Sequence, residues 1–414
     1  MPTRISSKIE IKRKHIHCPK TRLPSQHKEF ILPKSTKNCL GGEALGGDGK
    51  ILNDPHDVAD YVKIDQVLSL LADLPLDTLQ VIEQFTADHF AILLTAIAEE
   101  YPRSHAKLTY LEEDKKLLVM QPSSTHEAFI VALTSAIGTF TNGIGYNPYN
   151  YNFGSSLNKS LFYTQPDGSS ARAIPDYQLV MENNSNRAPG TPLIPKWIGE
   201  VSFTASPSYT RKHLRQVVKS QPSVDLAFMI RIEELPKWAS PSKDARVQKL
   251  RSQPFRAYKD FIPALPAGSL GPVVVEDFTW ISITRVTFEL YLRRPDGRLV
   301  VDSSLQDNHS ARGILFPTSA MENINLLLSK ASECLIESLI SEMEASQEDV
   351  QAIEQVRRSE ARLEVPWDLV LRSFRSAVLT AAYERYIDWY GSGKRKPTTT
   401  DSSRKTLRSG RQVP

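Results

Sequence analysis

With 414 residues, 40% of them hydrophobic and 8% aromatic, the chain exceeds a single average domain and can bury a sizeable core. Residues 1–37 hold ten Lys/Arg against Glu10 and Glu29, a net of +8, and residues 391–414 hold seven against Asp401, a net of +6; since the whole chain carries +4, residues 38–390 stand at −10. Cys18, Cys39 and Cys334 are too few and scattered for a disulfide framework, and the longest greasy run, residues 90–98, is too short to span a bilayer, which argues against secretion and against a membrane protein.

The basic N-terminal segment has no apolar run of signal-peptide type, so an intracellular protein is expected, in nucleus or cytoplasm. A mitochondrial address is left open by its acid-poor composition. Both basic ends read either as solvated, disordered tails or as polyanion-binding arms that work by counterion release. His15, His17 and Cys18 lie close together, but no second cluster completes a tetrahedral zinc site. Residues 38–57 are glycine-rich and read as a linker. Gly49-Lys50 within them is no phosphate-binding loop, because Ala44 stands where its first glycine should and Ile51 follows the lysine.

Helical spacing begins after Asp57. Val58, Tyr61, Val62, Val67, Leu70 and Leu71 suggest one helix; Leu79, Ile82, Phe85, Phe90, Leu93, Leu94 and Ile97 suggest a second, so residues 58–102 read as a helical preface. From Leu108 short strand-like segments take over. Residues 117–120 form a strand, and Ser123 or Ser124 caps a helix with apolar positions Phe129, Leu133, Ile137 and Phe140. Strands are expected at 161–163, 177–181, 197–203 and 224–232, the last two joined by a basic amphipathic helix over 209–219. Residues 234–271, rich in Pro and Lys, read as an insertion crossing the surface. Strands return at 273–275 and 279–292, and Asp296-Gly297 is expected to turn the chain into a hairpin partner at 299–301. Helices follow over 321–345, about 349–363 and 366–390, with Lys394-Arg395-Lys396 beyond them as a candidate nuclear address.

Cleaving a phosphodiester with a divalent cation needs two or more carboxylates converging on one point. Asp176 opens one expected strand and Glu200 lies within the next, 24 positions later, so a hairpin can bring them together. Glu200 stands among Ile198 and Val201, where an unpaired charge is costly to bury, and a cation is one of the few partners able to offset that cost. Pro175-Asp176 followed by Glu200-Val201-Ser202 resembles the PD-(D/E)XK nuclease core. More narrowly, the run Val119-Met120-Gln121-Pro122-Ser123-Ser124-Thr125-His126, then Ile174-Pro175-Asp176-Tyr177, then Glu200-Val201-Ser202-Phe203 with Arg211-Lys212-His213-Leu214, is similar to the Uma-type family of restriction-endonuclease-like proteins. About half of the chain is covered by this likeness.

The resemblance implies an α/β (α+β) fold, a restriction-endonuclease-like mixed sheet flanked by helices, as a core over residues 103–312, with helical extensions over 58–102 and 313–390. It implies a divalent-metal-dependent nuclease using Mg2+ or Mn2+, with Asp176, Glu200 and the Val201 carbonyl as metal ligands and nucleic acid, DNA more than RNA, as partner. One departure stands out: Ser202 occupies the strand position where the superfamily places its lysine. The Uma-type pattern moves that lysine into the following helix, which assigns the role to Lys212, with Lys219 next and Arg215 on the same face. His126 is expected to line the site, and Glu127 to sit in an exposed first turn. The alternative is a catalytically inactive nuclease fold acting as a nucleic-acid or protein binding module, its C-terminal helices offering the partner surface.

Overall fold

The strongest strand-forming runs of the chain are also among its most buried, and they become the middle of one sheet. The structure, a computed structural model, describes residues 63–392 apart from 72–73, 75–78, 101–105, 122, 159–160, 165–169, 185–192, 204–205, 242–244, 267, 303 and 305–306. The basic end segments, the glycine-rich linker, the His15/His17/Cys18 group and Lys394-Arg395-Lys396 lie outside the described residues.

The elements in chain order are α1 (63–71), β1 (Leu79–Ile82), α2 (Ala87–Glu100), β2 (Lys107–Leu111), β3 (Lys116–Met120), α3 (Ser124–Gly143), β4 (Tyr151–Leu157), β5 (Leu161–Thr164), β6 (Ser170–Ala173), β7 (Tyr177–Asn183) and β8 (Ile194–Ser202). After these come α4 (Pro207–Ser220), β9 (Leu226–Glu234), α5 (Ala245–Ser252), the single turn α6 (Tyr258–Phe261), β10 (Val273–Val275), β11 (Phe278–Ile281), β12 (Ile283–Leu292), β13 (Ser310–Phe316), α7 (Glu322–Ala345), α8 (Val350–Arg357) and α9 (Trp367–Ser392).

The large sheet has the order β13-β12-β9-β8-β7-β4 and is antiparallel except between β8 and β9. A strand returns parallel to its predecessor only through a crossover, and α4 is that crossover. Alternation along the strands then assigns two faces. Trp197, Val201, Phe228, Ile230 and Phe288 enter the main core with α3, α7 and α9. Ile198, Ala227 and Met229 pack on the other side against Leu214, Val217 and Val218 of α4. Among the described residues no helix is long and apolar enough to cross a membrane.

A smaller sheet, β1-β3-β2, packs with α1 and α2 around its own core of Val67, Phe85, Leu93, Leu108, Leu117 and Val119. The residues between these on the strands, Lys107, Thr109, Leu118 and Met120, are left on the opposite face, which lies over β8 and the first turns of α4. The expected helical preface is therefore part sheet. Leu79–Ile82 pairs antiparallel with β3 instead of starting a helix, because Gln84, at φ 55°, breaks the chain before Ala87. The helix begins where Thr86 and His89 exchange reciprocal hydrogen bonds, Thr86 N–H to His89 Nδ1 and His89 N–H to Thr86 Oγ1, in the manner of a capping box.

Three further expectations differ from what forms. Residues 299–301 do not pair with β12; β13 takes that edge, although the Asp296-Gly297 turn is present with Gly297 at φ 80°. Val301 is instead committed to α4, its side chain buried there and its carbonyl accepting from Arg215 Nε at 2.8 Å. The segment 234–271 does not merely cross the surface, since Val247, Leu250, Phe261 and Leu270 enter the main core. Ser123 stands at the N-cap of α3, but its hydroxyl makes no capping bond.

Gly199 tests the sheet directly. It lies opposite Phe228 in the parallel pair, and a Cβ at 199 would fall 2.0 Å from the Phe228 ring. Gly199→Ala is therefore expected to lower stability by about 1–3 kcal/mol, read as a fall in the urea midpoint at unchanged slope. A midpoint equal to wild type would contradict the Phe228 packing.

Candidate active site

The antiparallel pairing of β7 and β8 sets Tyr177 opposite Gly199, so the next step along the pair brings Asp176 beside Glu200 on the α4 face. Both are buried, at 1% and 2% exposure, where a lone carboxylate would be strongly disfavoured. They are instead joined by a lysine from the small sheet. Lys107 Nζ donates to Asp176 Oδ1 and to Glu200 Oε2, each at 2.6 Å. The outer oxygen of each carboxylate has its own neighbours. Asp176 Oδ2 accepts from the Val201 N–H at 2.7 Å and lies 3.3 Å from His126 Nε2; Glu200 Oε1 lies 3.0 Å from His213 Nδ1. The two histidine contacts are close in distance but poorly aligned, for Glu200 Oε1 and both ring nitrogens of His126 are buried without a hydrogen-bond partner. They are better described as close approaches than as hydrogen bonds.

The electrostatics follow from burial set against these neighbours. Burial alone would raise the Asp176 pKa, but His126 and Lys107 outweigh it and hold the carboxyl well below the usual carboxylate range. For Lys107 burial alone would lower the pKa, and the charges of Asp176 and Glu200 reverse that, holding the ammonium above its ordinary value. Asp176 and Lys107 are thus each held in their charged form near neutral pH, and the cohesion of the cluster rests on the ammonium staying between the two carboxyl groups.

The sequence-predicted residues separate into two groups. Asp176, Glu200 and His126 meet in one cluster. Val201, expected to offer its carbonyl, touches the cluster through its N–H. Lys212 does not join it: its ammonium is held by Asp114 at 2.6 Å and Glu113 at 3.3 Å, in the turn between β2 and β3. Lys219 is exposed in the last turn of α4, and Glu127 is exposed on α3. Nor is the basic face of α4 a free solvated surface. Arg211 forks onto Glu289 at 3.1 and 2.9 Å, and Arg215 serves the Val301 carbonyl.

Two members of the cluster, Lys107 and His213, carried little signal in the sequence. Lys107 stands one residue before the point where the strand pattern becomes apparent, and only its place on the face opposite Leu108 and Tyr110 marks it as inward-facing. His213 falls one residue before Leu214, on the buried side of α4. A small cleft of about 30 Å3 opens on Lys107, Glu200, His213 and Thr210.

Removing the ammonium leaves two buried carboxylates uncompensated, so Lys107→Met is expected to cost about 3–5 kcal/mol of stability, measured by urea unfolding. A loss below 1 kcal/mol, at the level of an exposed pair, would contradict the geometry. The pH dependence has a definite sign. Asp176, with its folded pKa below the ordinary 3.8, adds stability that is present above that value and lost as the pH falls toward the folded one. Asp176→Asn should therefore flatten the acid limb of the stability curve below about pH 4; parallel limbs for variant and wild type would contradict the pairing.

Comparison with known proteins adds no family to this description: no protein-family model matches the chain, and no curated protein matches it significantly.

Proposed function

We propose that the chain is a divalent-metal-dependent phosphodiester hydrolase of the PD-(D/E)XK type, with Asp176, Glu200 and Lys107 as its acting trio. One observation carries this reading. The strand that bears Glu200 has Ser202 where a lysine would serve the site, and a lysine from β2 reaches both carboxylates instead. The set of side chains is the one such chemistry needs, although the chain delivers its cation from another element. The succession of α3, the antiparallel strands β4, β7 and β8, the crossover helix α4 and parallel β9 also supports the reading.

The donor set suits magnesium better than zinc. Among the described residues no group of three or more His, Cys, Asp or Glu stands ready to hold a metal ion. Magnesium needs only one or two carboxylates, keeping waters and substrate phosphate as its other ligands. Asp176 Oδ1 and Glu200 Oε2 both lie 2.6 Å from one nitrogen, so the two carboxylates face one point, the position a shared cation would take. Held by Asp176 and Glu200, the ion would polarise the phosphodiester and favour ionisation of the attacking water.

The protein's own groups have distinct tasks in this account. Lys107 carries a fixed positive charge beside the reacting phosphate and stabilises the negative charge that grows on it. The Val201 N–H holds Asp176 in register. His126 and His213 stand beside the outer oxygens at 3.3 and 3.0 Å, while the inner ones face Lys107. The basic residues of 1–37 and 391–414 supply affinity for nucleic acid that the acidic body lacks.

A second reading, a non-catalytic binding module, is favoured by two features: Lys107 already occupies the point between the carboxylates, and the cleft beside it is only about 30 Å3. An assay on supercoiled and single-stranded DNA and on RNA, with Mg2+ and then Mn2+, separates the two. The hydrolase reading expects metal-dependent cleavage, reduced at least about 100-fold by Asp176→Asn, Glu200→Gln or Lys107→Met. Cleavage that persists in all three variants would refute the assignment, and a wild type inert with both metals would leave the binding module.

A further inference from the structure

A larger cavity lies next to the cluster, and the first turn of α4 divides the two. Tyr209 and Thr210 line the cleft at Lys107 and Glu200; Ser206 and Pro207 line a pocket of about 300 Å3 at the carboxyl ends of β8 and β9. Ser202 opens that pocket. It lies two residues beyond Glu200 on the same strand face, on the order of 7 Å along the strand. Crevices at the carboxyl ends of parallel strands are where sheets of this kind bind ligands, and this volume is in the range that takes a small planar molecule.

The walls define what that molecule is. Phe203 comes from the end of β8, Trp238 from the segment after β9, and Arg385 from α9. The Arg385 guanidinium is buried, with its carbon 5.0 Å from the Trp238 ring centre and 5.8 Å from that of Phe203. It is locked there by Glu234 at 2.6 and 3.0 Å and by the Trp280 carbonyl at 2.8 Å. Flat aromatic and guanidinium surfaces are thus fixed before any ligand arrives. Of the charged residues in the lining, Arg231 lies 3.3 Å from Glu233 and Arg385 is held by Glu234, while Lys237 adds a positive charge. A flat ring to stack, with the Lys237 cation beside it for an attached phosphate, suits a nucleotide.

We propose that this pocket takes one unstacked nucleobase of the substrate strand, stacked on the Trp238 side of the cavity, and that it selects single-stranded or locally unpaired nucleic acid. The inference rests on the hydrolase reading for its substrate class, but it concerns binding and is tested without catalysis. A base held here belongs to a nucleotide beside the phosphate at Asp176 and Glu200, because Ser202 and Glu200 share one strand face. A base inside a duplex cannot reach it without being extruded.

The test is fluorescence anisotropy of labelled DNA and RNA oligonucleotides on the full chain in EDTA, comparing single strands with duplexes of the same sequence. Two salt concentrations separate the steeply salt-dependent contribution of the basic ends from that of the pocket. Wild type is expected to prefer the single strand. Trp238→Ala should weaken single-strand binding about tenfold while leaving duplex binding unchanged, and Trp238→Phe, which keeps a stacking face, should retain most of the affinity. Equal melting temperatures for wild type and Trp238→Phe keep the comparison free of folding effects. Unchanged single-strand affinity in Trp238→Ala, or a wild type that prefers duplex, would overturn the proposal. Cleavage is scored separately: selective single-strand binding without cleavage would refute the hydrolase and leave the pocket, whereas duplex cleavage unaffected by Trp238→Ala would do the reverse.

Discussion

The contact between Lys107 and the two carboxylates, Asp176 and Glu200, is the interaction on which the remaining arrangement depends. Two acids side by side in a sheet, nearly closed to water, are tolerable only if a cation stays with them. That requirement ties the small sheet to the large one, because the cation arrives on β2. The same attachment is reinforced from α4, whose Lys212 grips Glu113 and Asp114 in the turn between β2 and β3. The residues that cover the cluster are therefore held by charge as well as by packing, and they come from a unit with a hydrophobic core of its own.

Local chain geometry accounts for how the cluster is assembled. The β7–β8 pairing makes Asp176 and Glu200 neighbours, and the crossover through α4 lets β9 run parallel beside β8. Gly199, just before Glu200, leaves room for the Phe228 ring, which no larger residue would do. α4 is then used on several sides at once. Leu214, Val217 and Val218 seal it to the sheet, His213 faces Glu200, Arg211 neutralises buried Glu289, and Arg215 holds the Val301 backbone. A helix that reads as a basic surface in the sequence commits three of its basic side chains, Arg211, Lys212 and Arg215, to partners within the protein.

Much of this was legible in the sequence where one periodicity dominated. The strands at 177–181, 197–203 and 224–232, the helix from Ser124 and the long helices after Met321 stand close to where their patterns put them. So does the convergence of Asp176 with Glu200, because a carboxylate inside an apolar strand demands a partner. What was hidden depended on contacts far apart in the chain. Leu79–Ile82 carries a spacing that suits either a helix or a strand, and its pairing with β3 decided the matter. Lys107 lies 69 residues from Asp176 and 93 from Glu200, a separation that no local pattern encodes. Lys212 had the spacing expected of the site's lysine, yet its acidic neighbours in the β2–β3 turn claimed it, and nothing in the helix itself announced them.

The most direct measurement is a crystal structure of the full chain with Mg2+ and an oligonucleotide carrying a cleavage-resistant phosphorothioate. The account predicts a cation bound by the carboxylates of Asp176 and Glu200, with Lys107 Nζ turned toward the phosphate it serves. A structure at saturating Mg2+ in which Lys107 still bridges Asp176 and Glu200, with no cation beside them and no phosphate at the cleft, would contradict it.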